Sequence, residues 1–319
     1  MHILGIDIGG TKCSAVLGRA SVDGEPPVIV DKIKIKTGSA RPWQTVLDEL
    51  AGAADALLSA HGVKKDRSEL EGIGISCGGP LDSARGVILS PPNLPGWDEV
   101  PAVEYFESRF GVGTRLQNDA NACAVAEWKY GAAKGSENAV FLTFGTGMGA
   151  GLILGGRLYS GTRDLAGEVG HIRLTDSGPF GYGKSGSFEG WCSGGGLVNI
   201  AKITAGSKAW DSPLARDLSL VDGKTLQDAL EADDPFARAV YTACAEKLGM
   251  GLSVIIDILD PEVIVIGSIY TRMSGFFDGI IKDIVERETL PPYKCKIKAA
   301  QLGESIGDIA ALSLAAGGY

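Results

Sequence analysis

The sequence has no CxxC pair. Its six cysteines, Cys13, Cys77, Cys123, Cys192, Cys244 and Cys295, are scattered along 319 residues. That spacing argues against a disulfide framework or a cysteine-rich zinc site and fits a reducing compartment. The chain also lacks any Lys/Arg-rich cluster, and 30 basic residues against 39 acidic ones leave it at −9. No nucleic-acid partner is expected from such a charge balance. No apolar run reaches the length of a membrane span, and the opening MHILGIDIGG has neither a basic n-region nor a cleavage site. The sequence therefore reads as cytoplasmic, with no membrane partner.

What the sequence has in abundance is glycine, 46 residues, gathered in short motifs and not in a low-complexity tract. Glycine used this way marks backbone that turns tightly or approaches a ligand. The length exceeds what one core usually supports, so two domains are expected. The segments ILGIDIGGTKCSAVLG (3–18) and VFLTFGTGMGAGLILG (140–155) share a pattern of strand, Gly-Thr turn and strand. They point to a duplicated α/β unit, although two unrelated hairpins would give the same pattern. Between them the sequence predicts a helix over 43–60, a strand over 70–76, a Pro/Gly segment over 90–101 that is neither, and a helix over 102–110. Beyond them it predicts a glycine-rich functional loop over 161–196, a helix over 235–259, the strand EVIVIGS, a helix over 274–288 and helical character over 305–316. Strands alternating with helices imply an α/β architecture.

Several motifs carry chemistry. In Asp7-Ile8-Gly9-Gly10-Thr11-Lys12 a Gly-Gly corner lets backbone amides approach a phosphate, while Thr11 and Lys12 add a hydroxyl and a charge. Asp7 could hold Mg²⁺ through water, and it could equally be a turn former. The uncharged run 145–151, with Thr146 and Gly147, offers only amides and a hydroxyl, which suits a second wall around a polyphosphate. Asn118-Asp119 precedes an alanine-rich helix. Either residue could be its N-cap, and Asp119 could instead be a general base. Glu168, His171 and Glu189 punctuate the glycine-rich loop with the carboxylates and imidazole that match sugar hydroxyls.

Taken together these motifs resemble the ROK group of repressors, open reading frames and kinases, in the hexokinase/actin-like superfamily, over nearly the whole chain. DIGGTK (7–12), PNLPGW (92–97), NDANA (118–122), GTGMGAGL (145–152), GTRDLAGEVGH (161–171) and DPEVIVIG (260–267) carry the resemblance. It implies a two-domain actin-like (ribonuclease H-like) ATPase fold with duplicated mixed-sheet units and an interdomain cleft. The smaller domain is expected over 1–117 plus about 305–319, and the larger over 118–304. The implied function is ATP-dependent phosphorylation of a hexose, with glucose O6 as the default and an N-acetylhexosamine or fructose as the alternative. By the resemblance, Asp119 corresponds to the catalytic base. Gly79, Asn118, Asp119, Glu168, His171 and Glu189 correspond to sugar contacts. Asp7, Gly9, Gly10, Thr11, Lys12, Thr146, Gly147 and Gly267 correspond to contacts with ATP and its Mg²⁺. A homodimer is the family-based expectation.

The sequence departs from that family in two places. Many members carry a CxCGxxGC zinc element before the second glutamate, but residues 180–187 here read FGYGKSGS. No structural zinc is expected, because His171 has no thiolate partners. The loop is instead expected to be held by packing of Phe180, Tyr182 and Phe188. The adenosine turn, often GG, is Gly267-Ser268 here. The rival reading, a sugar-sensing regulator, would need a helix-turn-helix before DIGG, and none is expected.

Overall fold

The computed structural model describes residues 1–20, 24–38, 41–317 and 319. The chain divides into two compact units, one of residues 1–141, 151–166 and 301–319, the other of residues 142–150 and 167–300.

The first unit begins with β1 (His2–Ile8), β2 (Lys12–Arg19) and β3 (Val28–Lys36), followed by α1 (Trp43–Ala60) and β4 (Leu70–Cys77). Two-residue strands β5 (Leu81–Asp82) and β6 (Val87–Ile88), then α2 (Ala102–Phe110), β7 (Thr114–Asn118) and α3 (Asp119–Tyr130) complete its leading part. Its sheet has the order β3-β2-β1-β4-β7. β1 is antiparallel to β2, which is antiparallel to β3, while β4 runs parallel to both β1 and β7.

The second unit's sheet starts with the hairpin β8 (Ala139–Phe144) and β9 (Met148–Ile153), whose outer ends belong to the first unit. There follow β10 (Phe180–Gly181), β11 (Lys184–Ser185), α4 (Phe188–Trp191), α5 (Gly194–Ala205), α6 (Pro213–Arg216) and α7 (Gly223–Glu231). Then come α8 (Pro235–Leu259), β12 (Val263–Ile266), α9 (Ile269–Glu288) and β13 (Lys296–Ala299), before α10 (Ile306–Ala316) returns to the first unit. The sheet order β13-β12-β8-β9 repeats the β7-β4-β1-β2 part of the first sheet. The two glycine-cornered hairpins thus occupy equivalent places in two mixed sheets, as a duplicated unit requires.

The alternation of β1 explains how its site is placed. Leu4, Ile6 and Ile8 join the core built with α1 and α2, whereas Ile3 packs with Leu312 and Ala315 of α10. Side-chain parity therefore puts Gly5 and Asp7 on the α10 side. Helix α10 lies so close to the sheet that a Cβ on Gly74 would stand 2.0 Å from the Ala311 carbonyl oxygen. Helix α3 packs against α10 and is tied to it by Glu127, which is fully buried. Its carboxylate accepts hydrogen bonds from the backbone N–H of Ala132 (2.7 Å), Gln301 and Leu302 (both 2.9 Å). Among the described residues no helix is long and apolar enough to cross a membrane.

Candidate active site

In the first unit the hairpin corner is closed by Gly9 N–H donating to the Lys12 carbonyl (3.1 Å). Gly10 is dictated by space: a Cβ there would stand 2.7 Å from the Asn93 carbonyl oxygen, so PNLPGW presses directly on the corner. Thr11 and Lys12 are exposed, and Gly79 is half-buried in the bend after β4. Asp7 is half-buried. Loss of hydration, then the nearby Asp119 charge, pushes its pKa up to about 6, against a smaller opposing effect of Lys32.

The sequence left open whether Asn118 or Asp119 caps α3, and the geometry answers it. Asn118 is the N-cap: its Oδ1 accepts from Ala120 N–H (2.9 Å) and Asn121 N–H (3.4 Å). That leaves the Asn118 Nδ2 amide as the donor end of the side chain. Asp119 is the first helical residue and exposed, with Oδ1 accepting from its neighbour Ala120 N–H (2.8 Å). Its carboxylate sits at the helix N-terminus, where the aligned peptide dipoles favour negative charge.

In the second unit the structure gathers Glu168, His171 and Glu189 around one turn. Val169–His171 is a short 3₁₀ turn and Glu189 lies in α4, capped by Ser187. Glu189 accepts from the N–H of Met148 at the second glycine corner (3.2 Å) and of Tyr182 (3.1 Å). The Tyr182 hydroxyl donates to Glu168 Oε2, and its ring meets His171 edge-on at 5.1 Å. Burial, then the Glu168 contact, holds the Tyr182 phenol well above its usual pKa, so it remains a donor.

The loop is not held as the sequence predicted. Phe188 is fully buried, and its ring lies where a Cβ on Gly251 of α8 would be. Phe180, by contrast, is 63% exposed and Tyr182 is 41% exposed. Only Phe188 packs as a core anchor. Tyr182 acts through polar contacts that pattern reading did not supply.

The second glycine corner opens on a cavity of 650 Å³ lined by Thr146, Gly194, Lys224, Gln227, Ser268 and Arg272, among others. That volume suits a nucleotide-sized ligand. Thr146 reaches the cavity, whereas Gly147 and Gly267 are not in its lining. Ser268 is, with φ at +56°, a conformation that suits glycine better than serine. Lys224, Gln227 and Arg272 were missed by sequence reasoning, since they lie on two helices that carry no motif.

The residues present do not fit a structural zinc. Among the described residues no three His, Cys, Asp or Glu side chains are grouped to hold a metal. The Lys184 ammonium stands 3.1 Å from His171 Nδ1, where a cationic ligand partner would be repelled. Mg²⁺ asks less of a protein, one or two carboxylates beside substrate phosphates, and the half-buried Asp7 carboxylate is chemically of that kind.

The chain is 32% identical to a glucokinase of Halalkalibacterium halodurans, over 96% of this chain and 92% of that protein. The crystal structure of a ROK hexokinase from Thermus thermophilus is 31% identical, with a TM-score of 0.79 over 99% of this chain and 98% of the other. A ROK family glucokinase from Streptomyces griseus, solved with glucose and AMPPNP, is 28% identical, with a TM-score of 0.78 over 99% of each chain. The sequence profile described as the ROK family matches residues 3–317, and the chain belongs to that family, with its actin-like ATPase fold.

Proposed function

We propose that this protein is an ATP-dependent sugar kinase that phosphorylates a hexose, with the 6-hydroxyl of glucose or a related aldohexose as acceptor. The observation that carries the mechanism is the exposed Asp119 carboxylate beside Asn118, which performs the capping. A carboxylate exposed at a helix N-terminus can orient a sugar hydroxyl and take its proton as the oxygen attacks the γ-phosphate, a role worth about 10²–10⁴-fold. Asn118 Nδ2, Gly79, Glu168, His171 and Glu189 contact the remaining hydroxyls. The amides of Gly9 and Gly10 with Thr11 and Lys12, and those at Thr146 and Gly147, hold phosphates. The adenosine occupies the cavity beside Gly267-Ser268. Asp7 would hold the Mg²⁺ that arrives with ATP, and that ion would supply charge neutralisation on the phosphates. Positioning and charge stabilisation supply most of what phosphoryl transfer needs.

Coupled ADP detection across glucose, mannose, fructose, N-acetylglucosamine and N-acetylmannosamine tests the acceptor. Glucose is expected to give the highest kcat/KM, and a higher value for an N-acetylhexosamine would reassign it. Asp119→Asn is expected to lower kcat by about 10²–10⁴-fold. Wild-type turnover by that variant would remove Asp119 as the base. The protein is read as a homodimer, which light scattering checks.

A further inference from the structure

The hairpin of β10 and β11 is closed by only two residues, Tyr182 at φ +52° and Gly183 at φ +74°. Two positive φ values are what such a turn demands, and Asn or Gly normally supplies the first. A tyrosine there costs about 1 kcal/mol or more and persists only when its surroundings over-determine it. The surroundings here are the three polar residues gathered above. Tyr182 gives its hydroxyl to Glu168 and its N–H to Glu189, and its ring meets that of His171 in a T-shaped contact. Two residues on, Lys184 Nζ reaches His171 Nδ1 at 3.1 Å.

Resting on the sugar-kinase reading, we propose that Tyr182 and Lys184 are positioning residues that set the hydrogen-bond polarity of the hexose site. An ammonium has donors and no acceptor, so His171 Nδ1 must present its lone pair to Lys184. The neutral ring then carries its proton on Nε2, and His171 meets the sugar as a donor. Tyr182 occupies one lone-pair site of Glu168 and leaves Oε1 to accept. Glu189 has each oxygen anchored by one backbone N–H, which fixes its plane and leaves further lone pairs for hydroxyls. The set thus offers one donor among carboxylate acceptors, a pattern for adjacent hydroxyls of which one must accept.

Long-range ¹H–¹⁵N correlation on histidine-labelled protein reads the tautomer directly, and the chain has only three histidines, His2, His61 and His171. His171 is expected as the single Nε2–H form in the wild type and in Lys184→Arg, and as a mixture in Lys184→Met. An Nδ1–H form in the wild type, or an unchanged spectrum in Lys184→Met, overturns the proposal. With glucose and Mg·ATP, Lys184→Met and Tyr182→Phe are expected to raise the sugar KM about tenfold, with kcat within about threefold and the ATP KM unchanged. A fall in kcat alone, or an equal rise in both KM values, also overturns it. The melting curve checks that each variant folds. Should the wild type phosphorylate no sugar, the kinase reading fails, and the tautomer measurement still decides the positioning of His171.

Discussion

At the scale of single residues, Asp7 is a carboxylate whose surroundings oppose its charge. Its folded pKa of about 6 lies above the ordinary 3.8, raised first by burial and then by Asp119. Between those pH values the native state keeps a proton that the unfolded chain has lost. Stability from this group is therefore fully present below about pH 4 and declines as pH rises through about 6. The loss at pH 8 is of the order of 2–3 kcal/mol, from about 1.4 kcal/mol per unit. Asp7→Asn removes the charge and keeps the shape. Without nucleotide, the variant is expected to be more stable than the wild type at pH 8 by about 2 kcal/mol and nearly equal at pH 4, while losing activity. Urea unfolding across that range measures it, and parallel pH profiles for the two proteins would refute the account. Ser268 is the complementary case, strained by backbone and not by charge. Its φ of +56° costs about 1–3 kcal/mol for a serine, whereas glycine adds at most about 1 kcal/mol of unfolded-state entropy. The strain is the larger effect, so Ser268→Gly is expected to stabilise by about 1 kcal/mol. A lower urea midpoint would mean that the serine side chain contributes more than its backbone costs.

At the scale of elements, Glu127 shows how α3 keeps its place against the start of α10. Three backbone N–H groups converge on one fully buried carboxylate, two of them from residues 301 and 302, far along the chain. Removing the acceptor strands one buried and two part-buried donors, which costs more than the bonds themselves contribute. Glu127→Ala is therefore expected to destabilise by about 3–5 kcal/mol, and Glu127→Gln by less, because one oxygen remains. A loss under about 1 kcal/mol for the alanine variant, by urea unfolding, would show that water replaces the carboxylate. Nothing in the local pattern of NDANACAVAEWKY marks this glutamate, since two of its three partners come from the far end of the sequence. The same distinction between local and distant information governs what was legible. Helices at 43–60, 102–110 and 235–259 and the strands of both hairpins follow from periodicity and glycine placement, and they form with those bounds or nearly so. Strands β3 and β13 escaped although KIKIK and KIK alternate, because both are edge strands whose polar face hides the apolar one. The loop over 161–196 was legible as a long glycine-rich segment carrying Glu168, His171 and Glu189. Its organisation was not, because a two-residue turn at Tyr182-Gly183 and the hydrogen bonds it permits depend on conformation that residue types alone do not specify.

At the scale of the whole molecule, the loop over 180–187 carries none of the cysteines of the CxCGxxGC zinc element with which the sequence compares it. Structural zinc contributes folding energy outright, and chelation unfolds proteins that depend on it. Here the equivalent loop is fastened by Phe188 in the core, by Ser187 capping α4, and by the Tyr182 and Lys184 contacts. None of these involves a metal. If the chain holds no structural ion, prolonged treatment with EDTA is expected to leave the melting midpoint unchanged within about 1 °C. On the proposed mechanism the same treatment is expected to abolish phosphoryl transfer, and added Mg²⁺ alone to restore it. Elemental analysis of the purified protein is expected to find far less than one zinc per chain. A midpoint that falls by several degrees in chelator and recovers only with Zn²⁺ would mean that another ligand set does the work of the missing cysteines. In that event the Lys184–His171 contact would have to open to admit the ion, and the histidine tautomer would change with it.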